Sequence, residues 1–175
     1  FQMAYLYSQF WDGVIPDIYL QDEKYFEHHK DKIKTLFGVD IKPIDMVSLH
    51  VRRGDYINNP YYVDLTDGDY YERAMDMFPD QKFLIFCKDR QNPDQDKRDM
   101  EWCKERFQGK QFEFWDSDSE IDDLNAMAGC KNGHIMANSS FSFWGSYLGE
   151  GKVVAPKDWF TVDKEMLLPE EWIRI

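Results

Sequence analysis

From residue 46 onward, short runs of apolar or alternating residues are followed by segments whose apolar residues recur at helical spacing. The short runs predict strands at MVSLHV (46–51), KFLIFC (82–87), QFEFW (111–115), HIMA (134–137) and KVVAP (152–156). The segments between them predict helices at DYYERAMDMF (69–78), DKRDMEWCKERF (96–107) and SEIDDLNAMAGC (119–130), and a helix that starts at FSFWGSYL (141–148).

Each predicted helix has one apolar face that should pack on the strands. The residues expected on these faces are Tyr70, Tyr71, Ala74, Met75, Phe78, Met100, Cys103, Phe107, Ile121, Leu124, Met127 and Ala128. Ser117 and Glu120 fit the capping-box pattern, so we expect Ser117 to cap the helix over 119–130.

Strands separated by helices of about ten residues imply crossover connections and a parallel sheet covered on both faces. The sequence therefore predicts an α/β fold, a Rossmann-like doubly wound parallel sheet. In such sheets, ligands bind outside the carboxyl ends of the strands. The stretch HVRRGDY (50–56) follows the first predicted strand at that edge.

Residues 1–45 do not continue this alternation. They are rich in aromatic residues, are interrupted at Pro16 and are helix-like from about Glu23 to Phe37. We expect them to form a connecting or packing segment, the tail of a preceding domain, with Pro43 close to the boundary. The Rossmann-like domain then spans 46–175.

The amino-acid composition limits the classes of partner that the protein is expected to bind. A net charge of −12 and a pI of about 4.7 argue against nucleic acid or an anionic membrane, because both require a basic footprint. No apolar run approaches the roughly 20 residues that span a bilayer, and no signal peptide opens the chain, which begins at Phe1. Cys87, Cys103 and Cys130 are spread singly, which predicts reduced core thiols.

Two adjacent arginines, Arg52 and Arg53, follow the first strand in a loop that contains a glycine. Arginine donates parallel hydrogen bonds to phosphate, so this loop is a candidate anion site. The alternatives are a structural ion pair of Arg52 or Arg53 with Asp55, or simple solvation. An adhesive RGD loop is disfavoured because the tripeptide directly follows a core strand.

A second candidate anion site is ANSSFSFWG (137–145). Asn138, Ser139 and Ser140 follow a strand end and precede a helix, so hydroxyls and unpaired N–H groups gather at a helix N-terminus. In a parallel sheet this site can face the arginine loop. A plain N-cap is the alternative. The NSS sequon is disfavoured as a glycosylation site by its place at a buried strand end.

Two further features involve carboxylates. Asp89, in FCKDR (86–90), is a candidate to accept hydrogen bonds from a guanine ring, and capping of its own turn is the alternative. Asp116 and Asp118 form a D-x-D, but a helix cap explains these residues adequately. The chain contains no G-x-x-x-x-G-K-[ST] and no G-x-G-x-x-G stretch.

Together, HVRRGDY, FLIFCKDR and DDLNAMAGCKNGHIMANSSFSFWGSYL resemble the α-1,2-fucosyltransferase family of bacterial type. The similarity runs from about residue 10 to the C-terminus, where VVAPKDWF and LLPEEWIRI look like the family's ending. The resemblance implies a GT-B enzyme whose C-terminal Rossmann-like domain, here 46–175, binds GDP-fucose without a metal or another cofactor. It also implies inverting transfer of L-fucose to a galactoside hydroxyl in an α-1,2 linkage.

The resemblance also implies roles for residues that match the family's motifs. Arg52 and Arg53 would hold the diphosphate, with Arg53 favoured for the β-phosphate that leaves, while Asp55 orients both arginines. Arg53 and Asp55 are thus the expected catalytic residues. The other expected donor contacts are His50, Asp89, Asn138, Ser139, Ser140 and the backbone N–H of Phe141.

The sequence departs from the family in two places. The second motif usually reads FSDD, whereas Cys87 and Lys88 occupy its middle here, which weakens the assignment of Asp89. The glycine-rich N-terminal stretch resembling GGLGNQMFQYA is absent, so we expect most of the acceptor domain to be missing from this sequence.

Two other classes stay open at this point. One is a metal-dependent glycosyltransferase that uses Asp116 and Asp118, and the other is a non-catalytic module that binds nucleotide sugars. No general base is evident in the sequence, and the oligomeric state is open. The cysteines favour a bacterial or viral cytoplasmic protein, membrane-associated or not, over one in the Golgi lumen.

Overall fold

The computed structural model describes residues 26–36, 40–88, 90, 92–162, 166 and 168–175. Within them, the strands are β1 (Val47–His50), β2 (Phe83–Phe86), β3 (Phe112–Phe114), β4 (His134–Ile135), β5 (Val153–Ala155) and β6 (Ile173–Arg174). The helices are α1 (Lys30–Leu36), α2 (Tyr70–Asp76), α3 (Pro93–Arg106), α4 (Glu120–Gly129) and α5 (Ser140–Leu148). Short 3-10 turns cover Glu27–His29 and Gly54–Tyr56.

The strands form one sheet in the order β3-β2-β1-β4-β5-β6, and all of its pairs are parallel. This is the strand order of the doubly wound Rossmann fold, so the predicted fold class is confirmed. The order reverses between β1 and β4. Such a reversal opens a crevice at the carboxyl ends of the two strands, and ligands bind there in this architecture.

Each face of the sheet buries a separate apolar core, as period-two alternation requires. On one face, Val47, Leu49 and Ile85 pack with α2 and α3 through Tyr71 and Cys103. On the other face, α4, α5 and the segment around Phe26 and Ile33 cover the strands. The core residues on that face include Leu84, Phe86, Met127, Met136, Phe143 and Val153.

Several details differ from the sequence prediction. Ile121 is exposed, because it lies on the outer side of the first turn of α4. Ser119, not Ser117, caps α4 by accepting a hydrogen bond from the Asp122 N–H, so the predicted capping box is wrong. Ser117 instead donates its hydroxyl proton to Asp123 at 2.6 Å. Strand β6 was not predicted.

The segment before β1 packs closely on the sheet domain. Phe26 lies against the rings of Trp144 and Tyr147, each with a centroid separation of 5.2 Å. Ile44 forms a parallel bridge with Cys130, one residue after the expected boundary at Pro43. The three cysteines are buried and free, as predicted. None of the helices in the described part of the chain is long and apolar enough to cross a membrane.

Candidate functional site

The two stretches singled out in the sequence flank the crevice between β1 and β4. His50 ends β1 and precedes the arginines, while Asn138 and Ser139 lie between β4 and α5. The rings of His50 and Phe141 are 6.0 Å apart, which brings the end of β1 next to the start of α5. The fold therefore places both candidate anion sites at one edge of the sheet, where a Rossmann-like domain binds its ligand.

His50 is buried, and its Nδ1 atom has no hydrogen-bond partner among the residues that the structure describes. Burial, assisted by the positive charge of Arg52, lowers the pKa of His50 to about 3. The imidazole is therefore neutral at physiological pH and offers one donor and one acceptor nitrogen. A buried polar atom without a partner is costly, and such an atom in a crevice indicates a place where a ligand completes the hydrogen bond.

Arg52 lies close enough to His50 for its positive charge to act on that imidazole. Its Nε and Nη2 atoms donate to Asp55 at 3.1 and 2.7 Å, and its guanidinium lies 5.4 Å from the centre of the Tyr56 ring. Most of the Asp55 side chain is exposed, so this pair contributes little stability. Asp55 thus orients Arg52 at the mouth of the crevice.

Arg53 points toward α3, which holds it. Its Nε donates to Asp99 at 3.0 Å, its Nη1 donates to Thr66 at 3.1 Å, and its guanidinium lies 4.2 Å from the centre of the Trp102 ring. Asp99, rather than Asp55, is the carboxylate that holds Arg53, so the expectation that Asp55 orients both arginines is wrong. Because Asp99 and Thr66 bind the Arg53 guanidinium, the arginine of the RGD tripeptide is not presented to an external partner.

The start of α5 presents unpaired backbone donors. Ser139 occupies the N-cap position, but its side chain makes no capping hydrogen bond. The first backbone bond of the helix runs from Phe143 N–H to Ser139 C=O at 2.9 Å. Within the described residues, the N–H groups of Ser140, Phe141 and Ser142 therefore have no acceptor. Together with the helix dipole they favour an anion at this position.

Asn138, which was expected to contact the donor, makes hydrogen bonds to the backbone of two loops. Its side-chain amide donates to the carbonyl oxygens of Val63 and Trp159, at 2.8 and 3.0 Å. Both amide protons are therefore used to hold two loops together beside the crevice. Asn138 is also buried, so the NSS sequon is inaccessible to glycosylation.

Charged side chains also follow β2 and β3. The Arg90 guanidinium pairs with the buried Asp123 and donates to the Ser117 carbonyl at 3.0 Å, while Lys88 pairs with Asp116. These loops border an open cleft of about 560 Å³, which Lys88 and Arg90 help to line. Asp89, the expected guanine contact, lies outside the described residues.

The carboxylates considered as metal ligands, Asp116 and Asp118, lie on the loop that precedes α4. The described residues contain no group of three His, Cys, Asp or Glu side chains that are placed to hold a metal ion. Lys88 already neutralises Asp116, and this pairing lowers the pKa of the Asp116 carboxyl. Asp118 is exposed on the same loop.

Comparison with known proteins shows the family to which the chain belongs. The model of the family described as glycosyl transferase family 11 matches residues 1–175. The chain belongs to this family. The resemblance read from the three motifs is thereby confirmed, because the family's relatives include α-1,2-fucosyltransferases. No solved structure matches the chain with comparable significance.

Two bacterial relatives, both from Escherichia coli, are 30% identical to the chain. They are an alpha-1,2-colitosyltransferase that matches 89% of the chain and an O-antigen biosynthesis glycosyltransferase that matches 90% of it. The human galactoside alpha-(1,2)-fucosyltransferase 1 is 30% identical over 85% of the chain. The matches cover 60%, 59% and 45% of these three proteins, so the chain spans only part of their length.

The sequence reasoning missed the residues that hold the arginines and the β2 loop. Asp99, Trp102 and Asp123 all lie far along the chain from the side chains that they contact. One signal was present: Asp99 lies one helical turn before Cys103 on the face of α3 that was expected to be apolar. A carboxylate on such a face needs a buried cationic partner.

Proposed function

We propose that the protein is an inverting glycosyltransferase that moves L-fucose from GDP-fucose to a hydroxyl of a galactoside, forming an α-1,2 linkage. The chain contributes the donor-binding domain, the C-terminal part of a GT-B architecture. Membership of glycosyl transferase family 11 supports the reaction class, and similarity to galactoside alpha-(1,2)-fucosyltransferases supports the transferred sugar, the linkage and the acceptor.

The observation that carries the proposal is the convergence of three unsatisfied or cationic groups on one crevice. These are the orphaned Nδ1 of buried His50, the guanidinium of Arg52, and the unpaired N–H groups at the start of α5. We place the diphosphate between Arg52 and the N–H groups of Ser140 and Phe141, with the Ser139 hydroxyl beside it. His50 then donates to, or accepts from, the nucleotide as a neutral ring.

The surroundings favour Arg52 over Arg53 for the direct phosphate contact. The charge of Arg52 acts on the buried His50 imidazole, which lies beside Phe141 of α5, whereas Arg53 is turned toward α3 and bound by Asp99. This reverses the preference for Arg53 that the sequence suggested. Arg53 keeps a role in the site as the residue that links its loop to α3.

The proposed chemistry is stabilisation of a leaving diphosphate. As the bond between fucose and phosphate breaks, positive charge develops at the anomeric carbon and negative charge on the β-phosphate. Arg52 and the N–H groups of α5 bind this phosphate more strongly in the transition state than in the ground state, which lowers the barrier. The described residues include no convincing general base for the acceptor hydroxyl.

A colitosyl donor is a second candidate. The Escherichia coli alpha-1,2-colitosyltransferase is as similar to the chain as the human fucosyltransferase is, at 30% identity. The phosphate contacts proposed above are independent of the sugar that is transferred. The donor sugar is therefore decided by comparing turnover of nucleotide-activated fucose and colitose on one galactoside acceptor.

The test is transfer of fucose from GDP-fucose to lactose by the protein in the presence of EDTA, with the product anomer read by NMR. We expect an α-linked product, and a loss of rate of about 10²–10³ in Arg52→Gln, as when one stabilising donor of a transition-state charge is removed. Asp122→Asn, an exposed change on α4, is the matched control and should keep full rate. Near-normal turnover in Arg52→Gln contradicts the phosphate role.

The rival classes predict other outcomes. A metal-dependent transferase that uses Asp116 and Asp118 loses its activity in EDTA. A non-catalytic module binds GDP but transfers nothing from any donor. The proposed site needs neither nucleic acid nor a cofactor, and the bacterial or viral cytoplasmic location stays a prediction.

A further inference from the structure

Helix α3 buries two carboxylates where an amphipathic helix normally buries apolar side chains. Its buried residues are Asp96, Asp99 and Cys103, spaced three and four positions apart on one face. A buried carboxylate costs a large free energy unless cations and hydrogen-bond donors surround it. The partners of these two side chains therefore indicate why the helix carries them.

Both carboxylates accept hydrogen bonds from the loops that follow β1 and β2. Asp99 accepts hydrogen bonds from Arg53 Nε at 3.0 Å, from the Gly54 N–H at 3.1 Å and from Gln95 Nε2 at 2.8 Å. Asp96 accepts from the Arg90 N–H at 3.2 Å. One face of α3 thus holds the loop that carries the arginine pair and also the loop that carries Lys88 and Arg90.

Asp99 holds the first loop at two points. Asp99 bonds both a side chain and a backbone N–H of that loop, and Gly54 adopts a positive φ of 33° in the turn that follows. Trp102, one turn further along α3, lies against the Arg53 guanidinium. Arg106 lies 5.2 Å from the same indole ring and donates to Glu72, so α2 joins the assembly.

We propose that Asp99 is a positioning residue for the donor site. It fixes Arg53 and Gly54 on the α3 side of the sheet, and this sets the direction in which the preceding residue, Arg52, leaves the strand. Arg53 is then the link between Asp99 and the loop, and it does not contact the phosphate. This inference rests on the proposed function, since it concerns recognition of the diphosphate by Arg52.

The test compares the affinities of the protein for GDP and GMP by calorimetry, at a temperature well below thermal unfolding of each variant. The ratio of the two affinities reports the contact with the second phosphate. Asp99→Ala should weaken GDP binding on the order of 10- to 100-fold, the scale of a misplaced site residue, and reduce the preference for GDP. Asp94→Asn, an exposed change on the same helix, should alter neither quantity.

A paired substitution separates positioning from direct contact. In Arg53→Gln with Asp99→Asn, the single amide oxygen introduced at position 99 can accept both from the glutamine amide and from the Gly54 N–H, so the link to the loop remains although both charges are gone. We expect this pair to recover the preference for GDP to within about threefold of the unmodified protein, because only Arg52 contacts the phosphate. If Asp99 only supports the fold, Asp99→Ala should lower the thermal stability but leave the ratio of the GDP and GMP affinities unchanged.

The possible results distinguish a failure of the positioning role of Asp99 from a failure of the proposed function. If GDP and GMP bind but Asp99→Ala keeps their ratio, Asp99 has no positioning role. If the paired variant loses the preference as fully as Asp99→Ala does, Arg53 itself contacts the phosphate and the inference is overturned. If the unmodified protein binds neither nucleotide, the proposed function fails first.

Discussion

In the part of the chain that the structure describes, the Nδ1 atom of His50 has no hydrogen-bond partner, which predicts that a substitution at this residue will stabilise the protein. In His50→Leu the orphaned polar atom is replaced by an apolar side chain in the same buried space. An unsatisfied buried polar atom costs about 1–3 kcal/mol of stability, so removing it stabilises the protein by that amount. Imperfect packing of the leucine side chain offsets about 1 kcal/mol of this stabilisation. We therefore expect the free energy of unfolding to rise by about 1 kcal/mol at pH 7.

At pH 5 the gain should be larger, because the leucine variant no longer carries a group that titrates. The pKa of His50 is about 3 in the folded protein and about 6.5 in an unfolded chain. Between these values the unfolded chain binds a proton that the folded protein does not. At pH 5 this linkage costs the unsubstituted protein about 2 kcal/mol, and His50→Leu removes that cost.

The same substitution should weaken GDP binding, because the ligand loses the hydrogen bond that the imidazole offers. One such bond contributes about 1 kcal/mol, or roughly a fivefold change in affinity. Urea unfolding at both pH values measures the stability, and calorimetric titration with GDP measures the binding. The prediction is thus a more stable protein with a weaker site.

His134 provides the matched control, since it is equally buried on the adjacent strand but has both nitrogens bonded. Its Nδ1 lies 2.7 Å from Ser48 Oγ and its Nε2 lies 3.0 Å from the Glu150 carbonyl oxygen. His134→Leu leaves both partners unsatisfied and should lower the free energy of unfolding by about 2–3 kcal/mol. If His50→Leu is destabilising to the same degree, the reasoning about the orphaned atom is refuted.

Three further predictions concern other parts of the account. Burial lowers the pKa of His134 to about 4, so it adds to the effect of His50, and stability should fall by about 4 kcal/mol from pH 7 to pH 5; a flat urea-midpoint profile would contradict this. Asn138→Ala removes the donors to Val63 and Trp159 and should cost about 2 kcal/mol in the same unfolding assay, whereas Lys97→Ala, at an exposed position of α3, should cost under about 0.5 kcal/mol. Gly145→Ala places a methyl group on the Met127 sulfur and should cost about 1–3 kcal/mol of stability, and an unchanged melting temperature would show that the contact between α4 and α5 relaxes freely.

The sequence predicted the strands and helices of the sheet domain because each carries a strong local pattern. Leu49 and Ile85 lie in apolar runs, and the helices repeat their apolar residues at the expected spacing. Strand β6 escaped prediction because Ile173 and Arg174 form a two-residue strand that has no pattern of its own. The cap of α4 was misplaced because Ser117 and Ser119 both precede the helix, and only the tertiary contact of Ser117 with Asp123 separates them.

The location of the site was predictable, whereas the partners of its charged residues were not. In a parallel sheet, the ends of β1 and β4 necessarily meet at one edge, which brings HVRRGDY and ANSSFSFWG together. The pairing of Arg53 with Asp99 joins residues 46 positions apart, and no local pattern encodes it. An adjacent carboxylate, Asp55, was the nearest candidate in the sequence, and it binds Arg52 instead.

Calorimetric titration of the protein with GDP in EDTA, with ADP as the control, shows whether the crevice between β1 and β4 binds the donor nucleotide. We expect guanine-selective binding that persists without metal and that Arg52→Gln reduces by at least about tenfold, the loss of one charge-assisted contact. Equal binding of GDP and ADP would leave the crevice as a general phosphate site. The absence of GDP binding, or GDP binding that is unaffected by Arg52→Gln, would contradict the assignment of the crevice between β1 and β4 as the donor site.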